Sequence, residues 1–166
     1  LAMIETVGRL VCAEDKTLAL VADLEKIIEH ARAAAARLPR RPKVYFEEWN
    51  DPPISGIGWV SDLITIAGGE DIFSENAAKQ SAKDRIIADP LEIVRRAPEI
   101  IIGSWCGKKF RPENVAARPG WAGVPALVGG QLHEIKSAVI LNPGPVAIRE
   151  GLPALTRIFE QWADLG

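Results

Sequence analysis

Apolar residues recur at helical spacing, crowd into short runs, and recur at helical spacing again, and this alternation lays out the elements of the chain. Between Leu1 and Ala13, the residues Ile4, Val7, Leu10 and Val11 share one face and predict a helix. Asp15 is placed to cap a second helix, in which Leu18, Val21, Leu24, Ile27, Ile28, Ala31 and Leu38 keep the period. The alanines from Ala33 to Ala36 favour helix and add little bulk, and Pro39 and Pro42 end it. Val44, Tyr45 and Phe46 predict a strand that Asp51-Pro52-Pro53 and Ser55-Gly56 stop. Trp59, Leu63, Ile64 and Ala67 then return to helical spacing until Gly68-Gly69. Ser74 to Lys83 has no period and predicts a surface loop. Asp84 to Ala88 predicts a short strand, and Asp89-Pro90 opens a helix through Leu91, Ile93, Val94 and Ala97.

Within Glu99 to Gly103, the residues after the glutamate form a continuous apolar run, the pattern of a strand buried on both faces. A helix from Pro112 to Ala117 follows, then a turn at Pro119-Gly120-Trp121. Short strands are expected at Ala126 to Val128, at Leu132 to Ile135 and at Ala138 to Leu141, before a final helix that buries Leu152, Leu155, Ile158, Phe159 and Trp162. Strands alternating with helices predict an α/β fold: a single Rossmann-like lobe with a mostly parallel central sheet flanked by helices. The expected division is a helical segment over 1–42 and the α/β lobe over 43–166. Ligands of such sheets sit beyond the carboxyl ends of the strands. Three loops then share a rim: Trp49 to Gly56, Ser104 to Lys108, and Asn142 to Pro145.

Composition narrows the function classes. With 48% hydrophobic and 25% charged residues among 166, the chain has enough apolar matter for one sizeable core. A net charge of −2 with interspersed signs gives no broad basic surface, which argues against nucleic-acid binding. Arg37, Arg40, Arg41 and Lys43 read as cations at a helix carboxyl end. Cys12 and Cys106 are too few for a disulfide framework or a metal site. No apolar run approaches the roughly 18 residues of a membrane span. The stretch from Leu1 to Asp15, broken by Glu5 and Arg9, does not read as a signal peptide, and Val11 spoils Cys12 as a lipid-attachment site.

Few residues suggest catalysis. Glu47, Glu48 and Asp51 could supply an acid/base pair, but adjacent residues of a strand point to opposite faces, so Glu47 and Glu48 read as strand-end polar groups. His30 and His133 have no neighbour that suggests a relay. Cys106, close to Lys108 and Lys109, is the sharper nucleophile candidate, although a small packing residue is the plainer reading. Gly68-Gly69 and Gly129-Gly130 belong to no phosphate-binding motif. Of the five tryptophans, Trp59 and Trp162 fall on apolar helix faces. Trp49 and Trp105 end strands, where an indole can serve as a wall for a large, flat ligand or as packing.

The runs YFEEWNDPPISGIGWVSDLITIAGGEDIF and PEIIIGSWCGKKF, followed by the NPGP loop before the last helix, resemble the carboxyl-terminal lobe of cobalamin-binding proteins of ABC importers. These belong to the helical-backbone substrate-binding group that also carries iron siderophores and haem. The helix from Lys16 to Leu38 is similar to the one that links their two lobes, and the sequence begins where the first lobe of such a protein would have ended. The resemblance implies a transport role with no catalytic step and no cofactor, cobalamin being cargo, and a place in the periplasm or otherwise outside the cytoplasm. It implies a ligand held by Trp49, Asn50 and Pro53, by Trp105 and Cys106, and by Asn142, Pro143 and Gly144. It also implies a membrane permease as partner, with Glu92 as the docking glutamate. A capping-box role for Glu92, facing Asp89, stands beside that one. Without a first lobe, the apolar first helix is expected to be exposed and to favour self-association.

Overall fold

A computed structural model describes residues 1–165. Two helices, α1 (Ala2–Leu10) and α2 (Glu14–Ala35), precede the sheet. Strand β1 (Lys43–Asn50) turns into the short β2 (Pro53–Ser55), and α3 (Gly58–Ile66) leads to β3 (Glu70–Asp71). Two 3-10 turns and α4 (Leu91–Arg96) reach β4 (Ile100–Gly103). The one- or two-turn helices α5 (Pro112–Ala116) and α6 (Pro125–Val128), strand β5 (Leu132–Glu134) and α7 (Ser137–Ile140) follow. A π turn at Ala147–Gly151 then runs into α8 (Leu152–Ala163).

The sheet runs β2-β1-β4-β5, with β3 also paired to β1. All its pairings are parallel except the β1–β2 hairpin. Its pleat divides the core in two. Val44, Phe46, Ile100 and Ile102 face one way and pack with Ala31 of α2, Ile64 of α3 and Phe159 of α8. Tyr45 and Ile101 face the other way, toward Ile93 of α4, Val115 of α5 and Trp121. The two-sided burial predicted for Glu99 to Gly103 follows: every residue of β4 is buried, because helices cover both faces of a parallel sheet. Gly68 closes α3 with φ 95 and lies against α2, where a Cβ would stand 2.8 Å from Ala35 Cβ, so the chain turns there without a side chain.

Several local expectations are corrected. Asp15 does not cap α2; Ala13 is the N-cap, and Asp15 lies in the first turn, where its charge suits the helix amino terminus. Asp84 to Ala88 is no strand. Ala82–Arg85 forms a 3-10 turn and only Ile86 bridges to Ile54, because the Arg85 side chain turns inward to Glu48 and to the Ser55 carbonyl. Ala126 to Val128 is helical: Pro125 at the first position presets the helical φ. Ala138 to Leu141 also winds into a turn, with the Val139 N–H donating to the Lys136 carbonyl at 2.9 Å, because so short an apolar run fits either structure. The apolar side of α1 is open to solvent: Met3, Val7, Leu10 and Val11 are exposed, as is Leu18 of α2.

Candidate functional site

The carboxyl ends of β1, β4 and β5 lie side by side, since Glu47 pairs with Gly103 and Gly103 with Glu134. Beyond them, the first two predicted loops meet. A register irregularity between Glu47 and Trp49, followed by a cis Asp51–Pro52 peptide, folds the end of β1 back as β2. The Trp49 indole N–H donates to the Asp51 carbonyl at 2.8 Å, and Lys108 from the β4 loop places its ammonium 4.2 Å from the ring centroid. Asn50, half-buried in the same turn, keeps its side-chain oxygen buried and without a hydrogen-bond partner among the described residues. Pro53 and Asn50 line a hollow of about 420 Å³ with Leu91, Arg118 and Trp121.

Trp105 is 4% exposed, and its indole N–H donates to Glu47 Oε1 at 2.9 Å. Its ring packs edge-on against Phe110 and borders a second hollow of about 370 Å³. Lys108, Lys109, Glu134 and Lys136 stand around that hollow, and Ser137 and Ala138 complete it. Cys106 is exposed in the loop above. The third loop, with Asn142, Pro143 and Gly144 exposed, springs from the helical turn that carries Ser137 and Ala138. The Asn142 amide donates to the Ala138 carbonyl at 3.3 Å, and Trp59 at the head of α3 donates to the Ile140 carbonyl at 3.0 Å.

Beneath the rim lies a network that sequence reasoning missed. Glu47 is fully buried and accepts from Tyr45 (3.0 Å), from Trp105, and from both terminal nitrogens of Arg118 at 2.6 and 2.9 Å. A buried carboxylate needs such partners, so an acid in an otherwise apolar strand signals a cation elsewhere; nothing local points to Arg118. Burial, with the Glu47 charge beside it, pushes the Tyr45 phenol well above its ordinary pKa, so it stays protonated and donates. Glu48 faces the other way and pairs with Arg85 at 2.6 Å. The two glutamates therefore do take opposite sides, each neutralised by an arginine, and they form no acid/base pair. His133 is held neutral by burial, which lowers its pKa, and is 3.0 Å from Gln131 Oε1. Among the described residues, no group of acidic, histidine and cysteine side chains could hold a metal ion, and no helix is long and apolar enough to cross a membrane.

Glu92 makes no capping box. Asp89 Oδ1 accepts the Leu91 N–H at 3.0 Å, while the Glu92 carboxylate turns forward to Arg95 (2.8 Å) and Arg96 (3.0 Å). The bond from Arg96, then that from Arg95, holds its pKa below the usual glutamate range. The arginines of the following turn outcompete the backbone N–H of Asp89 for the carboxylate.

The chain belongs to the periplasmic binding protein family, whose model matches residues 1–139. Solved structures share the fold. The apo periplasmic heme-binding protein RhuT from Roseiflexus sp. RS-1 superposes with a TM-score of 0.76 at 21% identity, over 96% of this chain and 61% of that one. IsdE of S. aureus complexed with heme gives 0.74 at 16%, over 97% and 62%. The periplasmic vitamin B12 binding protein BtuF of Vibrio cholerae gives 0.72 at 14%, over 96% and 59%. The chain thus spans about three-fifths of the length of these structures. No curated protein matches it.

Proposed function

We propose that this protein is the substrate-binding component of an ABC importer outside the cytoplasm, carrying a large metal chelate to a membrane permease. The observation that carries the reading is the convergence of Trp49, Lys108 and the edge of Trp105 on one rim, beyond the carboxyl ends of a parallel sheet. A flat, partly apolar ligand finds aromatic surface there, and the prolines beside Asn50 add rigid apolar wall. Trp49, Asn50 and Pro53 would supply one part of the contact, Trp105 and Cys106 a second, and Asn142, Pro143 and Gly144 a third. A second lobe would close over them, and the closed form would dock through half-exposed acids such as Glu92, whose carboxylate would exchange Arg95 and Arg96 for cations of the permease.

The cargo is a corrinoid such as cobalamin, or an iron chelate of the haem or siderophore kind. The heme-binding proteins among the similar structures favour the second as much as BtuF favours the first. No catalytic role is assigned to Cys106 or to Glu47, Glu48 and Asp51. The test is the absorbance spectrum of the whole gene product purified from its own source, since corrin, haem and ferric siderophore differ in colour. A bound chromophore supports the reading. A colourless protein with a turnover abolished by Cys106→Ala would overturn it in favour of an enzyme.

A further inference from the structure

We propose that the cargo carries anionic groups, carboxylates above all, on its periphery, and that Lys108, Lys109 and Lys136 recognise them. The inference rests on the reading of the protein as a carrier of a large chelate, and it names which chelates. Its starting point is charge against background. The chain is net negative, yet three lysines, Lys108, Lys109 and Lys136, line the second hollow with a single carboxylate, Glu134, among them. Lys136 engages Glu134 at 2.7 Å, and Lys109 adds its field to the same carboxylate, which also accepts the Phe110 N–H at 3.1 Å. Three lysines against one carboxylate leave the lining of this hollow with a surplus of two positive charges.

Lys108 has no carboxylate partner among the described residues. Its ammonium rests over Trp49 instead, where the ring system of a flat ligand would lie. An exposed cation–π contact shifts an equilibrium only about two- to five-fold, so an incoming anionic group can draw Lys108 off the indole. That movement bares the ring for the apolar body of the ligand. Lysine suits the task because its flexible stem and compact charge can follow an anion, where an arginine fork needs a planar partner in fixed orientation. A periphery of neutral amides offers these lysines no counter-charge. Charged hydrogen bonds of this kind are worth roughly ten-fold or more in affinity.

The test uses the whole gene product and two matched pairs of ligands: haemin with its dimethyl ester, and a corrinoid bearing free carboxylates with its amide. Quenching of tryptophan fluorescence gives each dissociation constant, in dilute buffer and in strong salt. In at least one pair, the acid should bind at least about ten-fold tighter than its neutral twin. Strong salt and the double variant Lys108→Met/Lys136→Met should each erase most of that difference. Because the substituted side chains are exposed, the thermal midpoint of the variant should match wild type. Equal binding of acid and neutral forms, unmoved by salt or by the variant, overturns this inference and leaves the import reading standing. Failure of all four ligands and of a ferric siderophore bearing free carboxylates overturns this inference, and failure of a neutral ferric siderophore as well overturns the import reading with it.

Discussion

Replacing Arg118 by methionine removes the one cation bonded to Glu47 among the described residues, together with the guanidinium that lies over the Trp121 ring, and leaves an apolar chain of similar reach. Glu47 is 0% exposed, and Arg118 itself retains only 17% side-chain exposure. Of the four hydrogen bonds to the carboxylate, the two charged ones vanish and those from Tyr45 and Trp105 remain. Stranding one member of a buried pair costs about 3–5 kcal/mol. With a urea dependence of about 2 kcal/mol per molar, the unfolding midpoint should fall by about 1.5–2.5 M. Glu47→Gln in the same background removes the stranded charge, keeps its carbonyl oxygen as acceptor for the Trp105 N–H and offers its amide N–H to the Tyr45 hydroxyl oxygen, so the double variant should recover about 1–3 kcal/mol. The assay is urea unfolding followed by circular dichroism. An Arg118→Met midpoint within about 0.3 M of wild type, or a double variant no better than the single one, would refute the reasoning.

A Cβ at Gly103 would fall 1.9 Å from the Phe110 ring, so Gly103→Ala should lower stability by about 1–3 kcal/mol, and Phe110→Leu in the same chain should return part of it by thermal melting. Burial lowers the pKa of His133, so its contribution is present above the unfolded value near 6.5 and fades as pH falls through the lower folded value. His133→Gln should therefore flatten the loss of stability between about pH 7 and pH 5 in denaturant melts. Asp71 has the opposite sign, because burial raises its pKa. Asp71→Asn should gain on wild type as pH rises from about 3.5 to 7. Residues 1–165 present one side of the proposed cleft, so by themselves they should bind haemin or cobalamin more weakly than about 10 µM in titration calorimetry, and tighter binding would show that the rim alone makes the site.

The parallel sheet was legible because β4 is a pure apolar run and because β1 and β4 alternate between two cores that helices of strong period cover. The misread segments are short. Ala126 to Val128 and Ala138 to Leu141 span too few residues for periodicity to separate strand from helix, and proline or backbone bonding from the preceding loop decided them. Asp84 to Ala88 failed for a long-range reason: Arg85 is drawn to Glu48, far away in sequence. At the rim, the order of strand ends was enough to place Trp49 and the β4 loop beyond the carboxyl edge of the sheet. It could not show that Lys108 covers Trp49, or that Trp105 turns its N–H to a buried glutamate, since both depend on loops that meet only after folding.

The central claim is that the Trp49 rim holds a large metal chelate, and equilibrium titration of the whole gene product with haemin, cyanocobalamin and a ferric siderophore tests it most directly. The account expects one of the three to bind with a dissociation constant of about 1 µM or below, and Trp49→Ala to weaken it by about ten-fold or more. No binding of any ligand below about 100 µM, or tight binding that Trp49→Ala leaves unchanged, would contradict it.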